Sequence, residues 1–248
     1  NLLVIEDAAC ALGALYHDMY VGTFGSAGCF SFHPRKSITT GEGGMVITND
    51  EEIASTIESL RNHGAAVSDL ARHQAGGALL PEFNMLGYNF RMTDIQGAIG
   101  VEQTKKLPYI IARKIERAKI YNEQLDVIEY LELPHTPSGY QHTYQSYVTQ
   151  INSSELKKLS LDELNEIRNK IMYKLEEAGI ETRQGTHAVH TLGYYRNKYN
   201  LDYNDYPESL AADRLSITLP LYAQMTDQEQ EYVISNLQEV TKECFGIV

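Results

Sequence analysis

Lys36 follows Ser31-Phe32-His33-Pro34-Arg35 at the exit of an apolar run, and Asp7 closes another run, Leu2-Leu3-Val4-Ile5-Glu6. A lysine amine attacks carbonyl carbon once it is desolvated or set beside another cation, and it is the group that carries pyridoxal phosphate as a Schiff base. The same cofactor needs an acid beside its pyridinium nitrogen, because the protonated ring is the electron sink for a carbanion. Lys36 and Asp7 supply that pair. Each also has a plainer reading: a lysine after a strand is usually a solvated charge, and an aspartate at a strand-to-helix junction routinely caps the helix.

The elements that must position them are read as strands of an α/β sheet. Residues 2–5, 28–32 and 44–48 are short apolar runs, the first two expected to be buried. In open α/β sheets ligands bind beyond the carboxyl ends of the strands, which is where Asp7 and the segment from Ser31 to Lys36 fall. Gly41-Glu42-Gly43-Gly44 lacks the lysine of a P-loop and precedes a strand rather than a helix, so a tight turn is expected there.

Further along, Asn49-Asp50 introduce a helix over 51–62 with Ile53, Ile57 and Leu60 on one face and Gly64 placed for its C-cap. Thr93-x-x-Gln96 fits a capping box opening a helix through Lys106, and Pro108 is expected to start a second helix to Leu125. Residues 143–151, 180–182 and 216–219 read as strands. Leu161, Leu164, Ile167, Ile171, Leu175 and Ala178 trace one helix face, and Thr226-x-x-Glu229 opens a last helix carrying Val233, Leu237, Val240 and Cys244. The expected organisation is a large-domain part with bridging helices over 1–125 and a small α/β domain over 126–248. Residues 64–80 have few regular signals and read as a loop of functional length.

Glu6-Asp7-Ala8-Ala9, Ser31-Phe32-His33-Pro34-x-Lys36, Thr40-Gly41-Glu42-Gly43-Gly44 and Gly87-Tyr88-Asn89-Phe90-Arg91-Met92-Thr93-Asp94, in this order, resemble the DegT/DnrJ/EryC1/StrS sugar aminotransferases. The likeness continues through Gly179-Ile180-x-Thr182-Arg183, His190 and Leu219-Pro220-Leu221-Tyr222 and covers nearly the whole chain. It implies pyridoxal phosphate fold type I: the C-terminal part of a large domain with a mostly parallel sheet and helices, plus the small C-terminal domain. It implies pyridoxal-phosphate-dependent transamination of a 3-keto or 4-keto deoxyhexose nucleotide in polysaccharide biosynthesis, with glutamate or glutamine as donor. Lys36 then carries the cofactor and shuttles protons, Asp7 faces the pyridine nitrogen, and Ser31 binds the phosphate. Asn89 reaches the phosphate of a partner subunit, so a homodimer with shared active sites is expected. The loop over 64–80 is expected near the sugar.

Other positions are less determined. Where many members of that family carry Gln or His against the cofactor's phenolic oxygen, this chain has Cys10, and a thiol is a poor substitute in that hydrogen bond. Arg183 is read either as a fork for a nucleotide phosphate or as the partner of a surface carboxylate. His190 and His33 are read as substrate contacts. His187 and His190 have i, i+3 spacing, but no further cluster completes a metal site, so no metal is expected. The family's dehydratase branch replaces the lysine with histidine; Lys36 favours transamination. A pyridoxal-phosphate-binding regulatory protein without turnover and a keto-sugar dehydratase stand as the alternatives. The chain begins at Asn1 within a strand, while the family carries a Gly/Ser/Thr phosphate segment and an aromatic ring ahead of this point, so the C-terminal part of a longer protein with an incomplete sheet is expected.

Composition narrows the partners. The 248 residues are 43% hydrophobic and carry a net charge of -12, which disfavours nucleic acid and anionic membranes. Three cysteines without CxxC spacing point to reduced thiols and a cytoplasmic setting. No run approaches the roughly 18 apolar residues of a membrane span.

Overall fold

The computed structural model describes residues 2–66, 82–152, 156 and 158–246. The chain divides into two compact units, residues 1–109 with 137–145 and residues 110–136 with 146–248. The division falls earlier than the expected 125/126 boundary, and a short later segment returns to the first unit.

In the first unit, β1 (Ile5–Asp7) pairs parallel with β4 (Ala27–Ser31), and β4 pairs antiparallel with β5 (Gly44–Ile47). The register sets Asp7 opposite Cys29 and Ser31 opposite Gly44. The second pairing is antiparallel because the turn through Gly41 and Gly43 sends the chain straight back along β4. A second small sheet joins β2 (Leu15–Tyr16), β3 (Met19–Tyr20) and β7 (Tyr140–Gln141), all antiparallel. These two-residue strands are too short to leave a periodic signal.

The expectation of a buried strand at residues 2–5 is corrected. β1 starts at Ile5, and Leu2, Leu3, Val4 and Ile5 are 94%, 83%, 55% and 70% exposed. Among the described residues β1 has a partner on one side only, so its apolar run is not covered within this unit.

Helix α1 (Glu51–Arg61) is capped by Asp50, whose Oδ1 accepts from the N–H groups of Glu52 (2.9 Å) and Ile53 (3.1 Å). It ends at Arg61 with Asn62 as the C-cap, two residues before the expected Gly64; His63 (φ +60°) and Gly64 (φ +80°) then turn the chain, and the Gly64 N–H donates to the Ser59 carbonyl at 2.8 Å.

The two helices expected on either side of Pro108 are one: α2 runs from Asp94 to Leu125 with the proline inside. Proline's fixed φ is itself helical, and what it removes is one N–H, so a helix anchored on both sides can continue through it. Its start is the expected box, with the Thr93 N–H donating to Gln96 Oε1 (3.0 Å) and the Gln96 N–H to Thr93 Oγ1 (3.3 Å). Beyond the proline, Ile111, Lys114, Arg117, Ala118, Tyr121 and Leu125 recur at helical spacing and are buried in the second unit.

That second unit is built on an antiparallel sheet ordered β6 (Leu131–Glu132), β8 (Tyr147–Ile151), β9 (Ser216–Leu219). The strand expected from residue 143 begins at Tyr147, and residues 180–182 form no strand; only Arg183 bridges to Thr218. Helices α3 (Leu161–Glu177), α4 (Gly193–Tyr199), α5 (Pro207–Leu215) and α6 (Asp227–Phe245) complete the unit. Both α3 and α6 open on full capping boxes, Ser160 with Glu163 and Thr226 with Glu229. Their apolar faces, including Ile171, Leu175, Ile234 and Leu237, form the core with Tyr147, Ile151 and Ile217. Arg117, 3% exposed, ties α2 to α6 by donating to Asp227 Oδ1 (2.5 Å) and Gln230 Oε1 (3.0 Å).

Candidate active site

Asp7 and Ser31 end the neighbouring parallel strands β1 and β4, so the chain leaves both at the same edge of the sheet. After β1, Asp7 Oδ1 accepts the N–H of Ala9 at 3.1 Å, and the Ala8 N–H donates to the Cys29 carbonyl at 3.0 Å. The aspartate thus starts a tight turn and not a helix, and its carboxylate is exposed with one oxygen oriented by the backbone. That turn carries Cys10.

After β4, the Ser31 hydroxyl accepts the His33 N–H at 3.4 Å and the Lys36 N–H donates to the His33 carbonyl at 2.9 Å. The loop is held from several directions. Phe32 donates its N–H to the Gly43 carbonyl (2.8 Å), Thr40 its N–H to the Phe32 carbonyl (3.1 Å), and Gln145 its side-chain amide to the Arg35 carbonyl (2.8 Å). Ile38 and Thr40, 3% and 4% exposed, bury the loop's base. Pinned so, Lys36 reaches back to the turn after β1, where its Nζ lies 2.9 Å from Cys10 Sγ. The amine and the segment begun by Asp7 therefore meet.

Glu6, next to Asp7 on β1, ties that strand to the loop through Gly22 and Gly25, a role that the sequence reading missed. Its carboxylate accepts three backbone N–H groups, from Gly22 (2.7 Å), Phe24 (2.6 Å) and Gly25 (2.6 Å). Burial acts to raise its pKa, and those three donors outweigh burial and hold it below the usual carboxylate value. The contacts join residues 16 to 19 positions apart, so no local sequence signal exposes them.

The remaining candidates divide between the units. His33 accepts the Arg35 N–H on Nδ1 at 3.2 Å and turns Nε2 toward Glu42 Oε1 at 3.9 Å. Asn89 is exposed on a segment stitched to the end of α1, where His63 donates its N–H to the Tyr88 carbonyl (2.8 Å) and Phe90 its N–H to the Arg61 carbonyl (2.9 Å). In the second unit Arg183 forks onto Glu181 Oε1 with Nε at 3.2 Å and Nη2 at 2.6 Å, which is the surface-carboxylate arrangement. His190 is 4% exposed, with Nε2 3.0 Å from the Tyr203 carbonyl oxygen, so its ring is packed within this unit. Residues 67–81, most of the loop expected near the sugar, lie outside the described residues. Among the described residues no group of three or more His, Cys, Asp or Glu is arranged to hold a metal ion, and no helix is long and apolar enough to cross a membrane.

The chain is 37% identical over 243 residues to an uncharacterised protein of Methanocaldococcus jannaschii, covering 98% of this chain and 61% of that one. It is 34% identical over 239 residues to the GDP-perosamine synthase of Escherichia coli O157:H7, covering 96% of this chain and 58% of the relative. A Streptococcus pneumoniae protein solved in its PLP form superposes with a TM-score of 0.84 at 26% identity, over 98% of this chain and 58% of that structure. This chain thus spans about three fifths of the length of the relatives it matches. The family model for the DegT/DnrJ/EryC1/StrS aminotransferases matches residues 1–238, and the chain belongs to that family.

Proposed function

We propose that this protein is a cytoplasmic, pyridoxal-phosphate-dependent aminotransferase that moves an amino group from glutamate or glutamine to a keto-deoxyhexose nucleotide. The observation that carries the reading is the contact of Lys36 Nζ with the turn that follows Asp7, at the carboxyl ends of β1 and β4. The donor set fits the cofactor: an amine for its aldehyde carbon, an exposed carboxylate for its ring nitrogen, and a hydroxyl at a strand end beside backbone N–H groups for its phosphate. When bound, the cofactor supplies an electron sink for a carbanion on the amino donor.

The chain's own residues do the rest. Lys36 Nζ would hold the cofactor covalently and, when free, would move the proton at the amino donor's α-carbon. Asp7 keeps the ring nitrogen protonated, and the Ala9 N–H fixes the carboxylate's aim. Ser31 anchors the phosphate, joined by Asn89 from a second subunit of a homodimer. His33, Arg183 and His190 remain the substrate-side candidates, and Cys10 the cofactor's neighbour.

The test is a purified-protein assay with pyridoxal phosphate, labelled glutamate and a panel of keto-sugar nucleotides, read by mass spectrometry. Label appearing in an aminosugar nucleotide supports the proposal. Ammonia release without aminated sugar overturns it in favour of dehydration, and a bound cofactor unresponsive to any donor overturns it in favour of a regulatory protein.

A further inference from the structure

Cys10 and Lys36 are two nucleophiles with Sγ and Nζ 2.9 Å apart. Cys10 is exposed, while Cys29 and Cys244 are half-buried. The two side chains come from different loops, each pinned by its own backbone hydrogen bonds, at Ala8 with Cys29 on one side and at Lys36 with His33 on the other. The fold thus holds both backbones, and the Lys36 side chain spans the space to the Cys10 turn. Nothing in the transamination reading uses the thiol as a reactant.

We propose that this pair is an oxidant-responsive modification site, in which a hydroperoxide oxidises Cys10 and the oxidised sulfur captures the Lys36 amine. The thiol sulfur attacks one peroxide oxygen, the O–O bond breaks and the other oxygen leaves as water (from hydrogen peroxide) or as an alcohol (from an organic hydroperoxide), so that sulfur is oxidised to the sulfenic acid while the peroxide is reduced. The unprotonated Nζ then attacks that sulfur, the S–O bond breaks, and the departing hydroxide takes a proton from nitrogen and leaves as water. One S–N bond has formed at the expense of the thiol hydrogen and one amine hydrogen. Sulfenic acids condense in this way with a neighbouring nitrogen when one is held within reach. A low-molecular-weight thiol reverses the linkage by attacking sulfur, which frees the amine and leaves a mixed disulfide that a second thiol reduces.

The consequence for the cofactor rests on the function proposed above: a lysine held in an S–N bond cannot carry pyridoxal phosphate, so the same pair would silence the site under peroxide and restore it under reductant. The linkage itself does not depend on that reading.

The chain is treated with hydrogen peroxide, digested without reductant and mapped by mass spectrometry. The expected product is a pair of peptides joined through Cys10 and Lys36, two hydrogens lighter than their sum, lost on treatment with dithiothreitol. It is absent from Cys10→Ser and from Lys36→Arg, and in the latter Cys10 proceeds to the sulfinic acid. Sulfinic Cys10 beside a free Lys36 in the unaltered chain, a Cys10–Cys29 disulfide, or an unmodified Cys10 overturns the proposal. In parallel, added pyridoxal phosphate gives an imine absorbance band in untreated protein that falls at least tenfold after peroxide and returns with dithiothreitol. If the untreated protein gives no such band, the cofactor role of Lys36 fails, while the peptide masses still decide the linkage.

Discussion

Lys36 Nζ lies 2.9 Å from Cys10 Sγ, so the amine at the end of one loop is docked on the turn that Asp7 begins at the end of the neighbouring strand. Two segments separated in sequence are joined through β1 and β4, whose parallel register places both exits at one edge.

Replacing the lysine separates binding from turnover. Lys36→Ala lowers turnover by about a thousandfold or more, the scale lost with a positioned proton carrier. Equilibrium dialysis with pyridoxal phosphate shows weakened, non-covalent retention. Unchanged steady-state turnover in this variant contradicts the assigned role.

Asp7→Asn keeps shape but removes the charge proposed to face the cofactor's ring nitrogen. Turnover falls by about a hundredfold, in the range of losing one preorganised electrostatic partner. Folding is preserved, since the Asn side-chain oxygen can still accept the Ala9 N–H, and a thermal melt within a few degrees of the parent checks this. Near-parental turnover would place the charge elsewhere.

Glu6→Gln disturbs the scaffold. The carboxylate's three backbone donors hold its pKa below 4.5 in the fold, against the pull of burial. The folded state thus binds its proton less readily than the unfolded chain, and the stability this contributes is present above the unfolded pKa and lost as pH falls through the folded one. The substitution costs about 1–3 kcal/mol near neutral pH, because an amide cannot accept all three N–H groups. In melts run down the acid range, parent and variant converge as pH falls; a constant gap across the range contradicts the assignment.

Lys114 is 6% exposed, and burial pushes its pKa down to about 8. Between that value and the ordinary 10.5 the unfolded chain holds more protons than the fold, so this group makes stability rise with pH across the window. Chemical denaturation at stepped pH shows that rise in the parent, and Lys114→Met removes it. A rise that survives in the variant assigns it to another group.

Gly87→Ala tests the segment that presents Asn89. A Cβ at residue 87 sits 2.0 Å from the Gly64 nitrogen and 2.3 Å from the His63 carbonyl carbon, both backbone atoms with no freedom to withdraw. The cost is about 1–3 kcal/mol of overpacking, with increased hydrogen exchange at Tyr88 and Phe90. Exchange unchanged at those amides contradicts the close approach.

The sequence made the chemistry more legible than the packing. Asp7 closes one short apolar run, Ser31 lies near the end of another and Lys36 follows just beyond it, so their place near strand exits was legible, and the boxes at Thr93 and Thr226 were readable because capping is local. Residues 2–5 misled, since an apolar run signals a need for cover without saying what supplies it. Pro108 misled because tertiary burial of Ile111 through Leu125 overrides a local breaker. The contact of Cys10 with Lys36 and the grip of Glu6 on Gly22, Phe24 and Gly25 join residues far apart in sequence, and no local pattern encodes them.

The most direct measurement of the central claim is to load the protein with pyridoxal phosphate, reduce it with borohydride and find the pyridoxylated peptide by mass spectrometry. The account predicts the label on Lys36 alone. Label on a different lysine, or on none, contradicts it.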